Sequence, residues 1–384
     1  MKSLFLFLLA LFLSVAPCFA QRGSNVIEYP VPAHLARPAE GALWSVPVVV
    51  LAFFPTRDGQ NVDPAQTGMQ MSLADLGDRV DEMNAQIKFA LEQGSRFHAY
   101  KDPAAKPSLS YVVVGCLAVF APLPRDTVPL PWNKARVRPA YKRILNILGA
   151  RDWVEKRGAK EIWLWGYDYG DIEPAESNMA SPVSGNISNS ERRMDDLPIF
   201  SKTYVVYNYN YNRTCAEAIH DHGHQLEAIL SYAAKKQDGN SDLWDKKFLG
   251  RDDAGKWITG RCGWTHMPPN TTTDYDYRNP TPVLSDIEDW RPDGSGKKEL
   301  ISHKAWTELL FDWPGLDVPE QRTETNWYLY WRQNIPGRDN NIPCGDGTLT
   351  NWWRFVGDWD GAMKDGYGLH TASPKTDAPA PSRS

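Results

Sequence analysis

The chain has 384 residues, 42 basic and 47 acidic side chains for a formal net charge of -5, and 16 tryptophans. That length carries one large core or two domains. Both signs of charge are mixed along it, which leaves no basic stripe of the kind that binds nucleic acid.

The opening MKSLFLFLLALFLSVAPCFA has the layout of a secretory signal peptide cleaved near Ala20, and Pro17 breaks its apolar run too early for a membrane span. The expectation is an exported protein, secreted or periplasmic, with no membrane span. After cleavage Cys116, Cys215, Cys262 and Cys344 remain, and an oxidising compartment would favour one or two disulfides among them. The sequence does not choose a pairing. Asn186, Asn212 and Asn270 match the glycosylation acceptor pattern.

In the body, VPVVVLAFF (46–54) is apolar without alternation, as in a strand buried on both faces. Leu73, Leu76, Val80, Met83, Ile87 and Leu91 recur at helical spacing behind Ser72 as N-cap, with Gly94 at the end. SYVVVGCLAVF (110–120) is a second apolar strand, followed by a helical stretch near 141–148, a strand at 161–167 and a strand at 203–211. Strands separated by helical crossovers predict an α/β fold with a mixed or mostly parallel sheet flanked by helices. In such sheets ligands gather beyond the carboxyl ends of the strands. This points to YDYGDIEPAESN after the 161 strand and to the helix after the 203 strand, both facing one cleft.

From about Ser241 the pattern becomes rich in loops, and 11 of the 16 tryptophans fall between Trp244 and Trp359. The expected organisation is a signal peptide (1–20), an α/β body (21–240), a Trp-rich, loop-rich extension packed on that body (241–370) and a disordered tail (371–384). Only short helices are expected in the extension, near 303–311 and 352–363.

Three of the chain's eight histidines fall in HDHGH, within RTCAEAIHDHGHQLEAILSY (213–232). At about 100° per residue, Glu217, His220, His224 and Glu227 form one stripe, opposite Ile219, Leu226, Ile229 and Leu230. His222 lies nearer the apolar side and reads as a packed, hydrogen-bonded histidine. Two histidines at i and i+4 can bind one zinc ion and leave positions for a third ligand and water. IHDHGHQLE resembles the HExxH helix of zincin metallopeptidases, with His220 and His224 at the ligand positions. The resemblance covers about nine residues and implies a zinc site with peptidase-like chemistry. The family's general-base Glu is Asp221 here, shorter by roughly 1.5 Å of reach, and misplacing a catalytic group by about 1 Å can cost on the order of 100-fold in rate. Glu217 or Asp221 would then activate water. His266, in GRCGWTHMPPNTTTDYDY, or Glu227 would complete the metal shell. The alternative is a polar helix face turned to solvent, its acids and histidines paired locally.

Asp168, Asp171, Glu173 and Glu176 lie beside Trp163, Trp165, Tyr167 and Tyr169, and SDIEDW adds Asp286, Glu288 and Asp289 beside Trp290. Rings beside carboxylates suit a sugar site in which two acids, foremost Asp168 and Glu176, serve as acid and base or nucleophile. There is no GxSxG elbow, P-loop, GxGxxG after a strand or EF-hand loop. The leading expectation is therefore an exported, zinc-dependent hydrolase acting on an extracellular polymer, peptide or glycan. The alternatives are a carbohydrate-active enzyme or a non-catalytic glycan- or surface-binding protein.

Overall fold

The computed structural model describes residues 26–188, 197–315 and 319–371. The expected signal peptide, and all of the expected tail except residue 371, lie outside them. The fold is built on a seven-stranded mixed sheet: β1 (Val26–Tyr29), β2 (Trp44–Phe53), β3 (Leu109–Val119), β4 (Glu161–Gly166), β5 (Ser177–Ser181), β6 (Gly185–Ile187) and β7 (Tyr204–Asn210), in the spatial order β1-β3-β2-β4-β7-β5-β6. β3, β2, β4 and β7 run parallel. Antiparallel β1 closes one edge, and antiparallel β5 and β6 close the other. The unbroken apolar run of β2 is explained by its position: Val48 through Phe53 are fully buried, so no face had to be polar.

The principal helices are α1 (Leu73–Gly94), α2 (Tyr141–Leu148), α3 (Ala150–Glu155), α4 (Cys215–Asp238), α5 (Pro319–Gln333), α6 (Arg354–Gly357) and α7 (Trp359–Lys364). Ser72 caps α1, its hydroxyl accepting from the Asp75 amide at 3.0 Å. α1, α4 and α5 pack against one another as a layer over the sheet. Among the described residues, no helix is long and apolar enough to cross a membrane.

One hydrophobic core joins the strands to the Trp-rich half, from Leu35 to Leu369. The tryptophans are its material: Trp244, Trp306, Trp327, Trp352 and Trp353 are fully buried. α5 was not anticipated from the sequence. Its C-terminal half, NWYLYWRQ, is buried all round, so it carries no polar stripe to mark a helical period. The helix expected near 303–311 shrinks to Lys304–Thr307, and the one near 352–363 divides into α6 and α7. The four cysteines are free thiols in this structure. The acceptor Asn270 is buried, and its amide donates to the carbonyls of Asn279 and Thr281 at 2.8 and 2.9 Å.

Candidate metal centre

α4 leaves β7 directly. Glu217 sits in its first turn, where acidic charge complements the helix dipole, and left-handed Gly239 closes its end. The helix phase places His220 and His224 on one face, as the spacing requires, and His222 on another. That face is not solvated: His220, His224 and Glu227 are each 8% exposed and Asp221 2%. His222 is stacked on Tyr207 at 3.6 Å between centroids, and its Nε2 meets the Tyr209 hydroxyl at 2.6 Å.

His266 comes from a loop of the Trp-rich half and meets the other two histidines. The three Nε2 atoms lie 2.8 Å (His220–His266), 2.9 Å (His224–His266) and 3.1 Å (His220–His224) apart. Indoles anchor this loop. Trp327 donates to the Thr265 carbonyl at 3.1 Å and Trp331 to the Gly263 carbonyl at 3.0 Å, both from α5. A Cβ on Gly223 would stand 2.4 Å from the Thr265 hydroxyl, so glycine at this point of α4 lets helix and loop touch.

Each ring turns its other nitrogen toward a carboxylate. His224 Nδ1 is 3.2 Å from Glu227 Oε2, His220 Nδ1 is 3.6 Å from Asp221 Oδ1, and His266 Nδ1 is 3.5 Å from Asp274 Oδ1. A carboxylate there favours the proton on Nδ1 and a lone pair on Nε2 when the ring is neutral. Burial opposes the charge of His224 but Glu227 holds its pKa up, and burial holds the Asp221 carboxyl well above the usual carboxylate range. Glu227, expected as a ligand or an alternative to His266, thus stands behind His224. Its other oxygen accepts from the Thr265 amide at 3.0 Å and hydroxyl at 2.5 Å. Burial works against the charge of Glu227, but His224 and Arg251 hold its carboxyl down at about 2. Burial, with His224 and His266 nearby, pushes His220 down to about 2, which keeps it neutral and free to ligate.

His220 opens into a cleft of about 520 Å³ beyond the carboxyl ends of β4 and β7, lined by Asp168, Glu176, Glu217, Asp221 and Tyr275 among others. Both segments named from the sequence do face this one cleft. Arg136 pairs with Asp168 and, at 3.1 Å, with Glu173. Glu176, His220 and Asp221 offer atoms within 4.8 Å of one another. Burial pushes the Glu217 carboxyl up to about 7, with Arg213 opposing and Asp168, Glu176 and Glu324 reinforcing the rise.

Tyr275, Asp274, Thr265 and Glu324 escaped the sequence reading, although the first three lie in the same quoted loop as His266. The Tyr275 hydroxyl reaches His266 Nε2 at 2.9 Å, from a backbone held at φ 62°. A non-glycine residue in that region marks strain of the sort often kept at functional sites. Trp163 and Trp165, at 0% and 1% exposure, offer no ring face to a sugar. Of the SDIEDW acids, Glu288 pairs with Lys101 at 2.8 Å, Asp289 with Arg291 at 3.0 Å, and fully buried Asp286 lies 3.6 Å from Arg261.

Comparison with protein-family models, with curated proteins and with solved structures finds no match to this chain.

Proposed function

We propose that the chain is an exported, zinc-dependent hydrolase whose metal is held by His220, His224 and His266. The observation that carries this reading is the convergence of three Nε2 atoms within 3.1 Å of one another while each Nδ1 faces a carboxylate. Three lone pairs so close repel unless a cation lies among them. The circle through the three nitrogens has a radius of about 1.7 Å, inside the 2.0–2.1 Å of a zinc–imidazole bond, so one ion reaches all three. Three histidines leave positions open, as in catalytic rather than structural zinc sites, and bound zinc there would acidify a water and polarise a carbonyl.

Around that position the chain's own groups divide the work. Glu227 and Asp274 orient the rings of His224 and His266, and the Asp221 carboxyl lies 3.6 Å from His220 Nδ1. Asp221 faces His220 Nδ1, so the short acid in HDHGH serves better as a support than as a copy of the peptidase general base. Glu217, titrating near neutrality and lining the cleft, suits proton uptake and return. The Tyr275 hydroxyl, 2.9 Å from His266 Nε2, would be free to donate to a substrate oxygen once a metal takes that lone pair. The acidic lining, relieved by Arg213, disfavours anionic substrates and suits a neutral amide or ester, hence a peptide-like polymer before a charged one.

Elemental analysis of the purified full chain tests the reading. About one zinc per chain is expected, lost in folded His266→Ala, with hydrolysis of a peptide or ester panel abolished by chelator and restored by zinc. Fully active, metal-free protein would overturn it.

A further inference from the structure

A second cavity, of about 420 Å³, lies at the opposite end of the parallel strands, where β4 and β7 begin. Its inner end is made by Tyr111, Glu161, Tyr207, His222 and Arg332, none more than 4% exposed. Arg332, on α5, stands out among them. Its Nε and Nη1 have no hydrogen-bond partner among the described residues. Its guanidinium lies 4.8 Å from the ring centroid of Trp353 and packs against Gly94, where a Cβ would come within 2.7 Å of Nε.

The other charged groups of the cavity are already engaged. A Glu161 oxygen accepts from the Trp163 indole at 2.9 Å. Lys160 donates to the carbonyls of Ser45, at 2.9 Å, and Gly357. Asp360 accepts from the Thr203 amide at 3.0 Å, and Asp358 from the Gly361 amide at 3.3 Å. Arginine does not shed its proton, and Glu161, which lies close enough to favour that charge, is itself pushed up to about 7 by burial and so offsets it only in part, which leaves a place for an anion at the bottom of the cavity. The walls between rim and guanidinium are apolar: Met179, Leu226, Ile229, Phe355 and Val356. Exposed Lys202 stands at the rim.

We propose that this cavity is a second ligand site, for a small amphipathic carboxylate whose head pairs with Arg332 and whose body lies against Met179, Leu226, Ile229 and Val356. The volume falls in the range of small-molecule pockets, and a guanidinium N–H donates a charge-assisted hydrogen bond to a carboxylate. The site is separate from the histidine cleft and stands or falls without a metal.

Octanoate titrated calorimetrically into the full chain tests it, with octylamine as the probe of opposite charge. Octanoate should saturate one site and octylamine should not. Arg332→Met should weaken octanoate by about 10- to 100-fold, as loss of a charge-assisted pair implies. Val356→Trp, which fills the cavity and leaves Arg332 in place, should abolish binding, and it serves equally if Arg332→Met does not fold. No saturable octanoate binding to the wild-type chain at about 10 mM, or equal binding in either folded variant, overturns the proposal.

Discussion

Glu227→Gln isolates what the carboxylate behind His224 contributes. In the wild type, Oε1 accepts from the Thr265 amide and hydroxyl, while Oε2 faces His224 Nδ1 at 3.2 Å and Arg251 at 3.6 Å. Glutamine keeps the size and one acceptor but adds a donor. If its oxygen stays on Thr265, its NH2 points at Nδ1, which must then accept, moving the ring proton to Nε2 and removing a lone pair from the metal position. If the amide flips, two donors collide at Thr265, at a cost of about 1–3 kcal/mol. Either arrangement weakens the site. Loss of such a supporting partner typically costs 10- to 100-fold in metal affinity, or about 1.4–2.7 kcal/mol. Competition with a chromogenic zinc chelator measures the affinity directly, and far-UV circular dichroism confirms that the variant is folded. A folded Glu227→Gln protein that binds zinc as tightly as wild type would refute the assignment of tautomers and, with it, the ligand geometry.

Two further outcomes follow from the same contacts. Gly223→Ala should gain helix propensity yet lose about 1–3 kcal/mol of stability, because the new methyl meets the Thr265 hydroxyl at 2.4 Å and displaces the loop that carries His266; denaturant unfolding and zinc content should fall together, and a stabilised variant with full zinc would contradict the packing. Burial pushes buried Glu161 up to about 7 from an unfolded value near 4.5, so between those pH values the native chain holds the extra proton and stability declines as pH rises, by on the order of 3 kcal/mol in all. Glu161→Gln should flatten that part of the stability profile, and parallel melting-temperature profiles from pH 4 to 8 would refute it.

What could be read without a fold was whatever depends on local periodicity. The α/β class, the limits of α1 and α2, and the separation of His220 and His224 from His222 all follow from the helical repeat, the cap at Ser72 and the unbroken apolar runs of β2 and β3. These signals live within a few residues of one another, so a linear chain displays them. The cleft at the ends of β4 and β7 was legible for a related reason, since parallel strands aim their following loops to one side.

Only the tertiary structure decided the rest. His266 lies 42 residues from His224, and its approach to 2.9 Å depends on two indoles of α5, a helix whose all-round burial erases its own period. Glu227 shares a stripe with the histidines, but whether it faces the proposed metal position or the back of a ring depends on Thr265, which arrives from another segment. The tryptophans beside carboxylates suggested a sugar platform, and burial made most of them core. Sequence spacing carries direction around one helix axis, whereas partners across loops are set by the summed packing of the whole chain, which no short window contains.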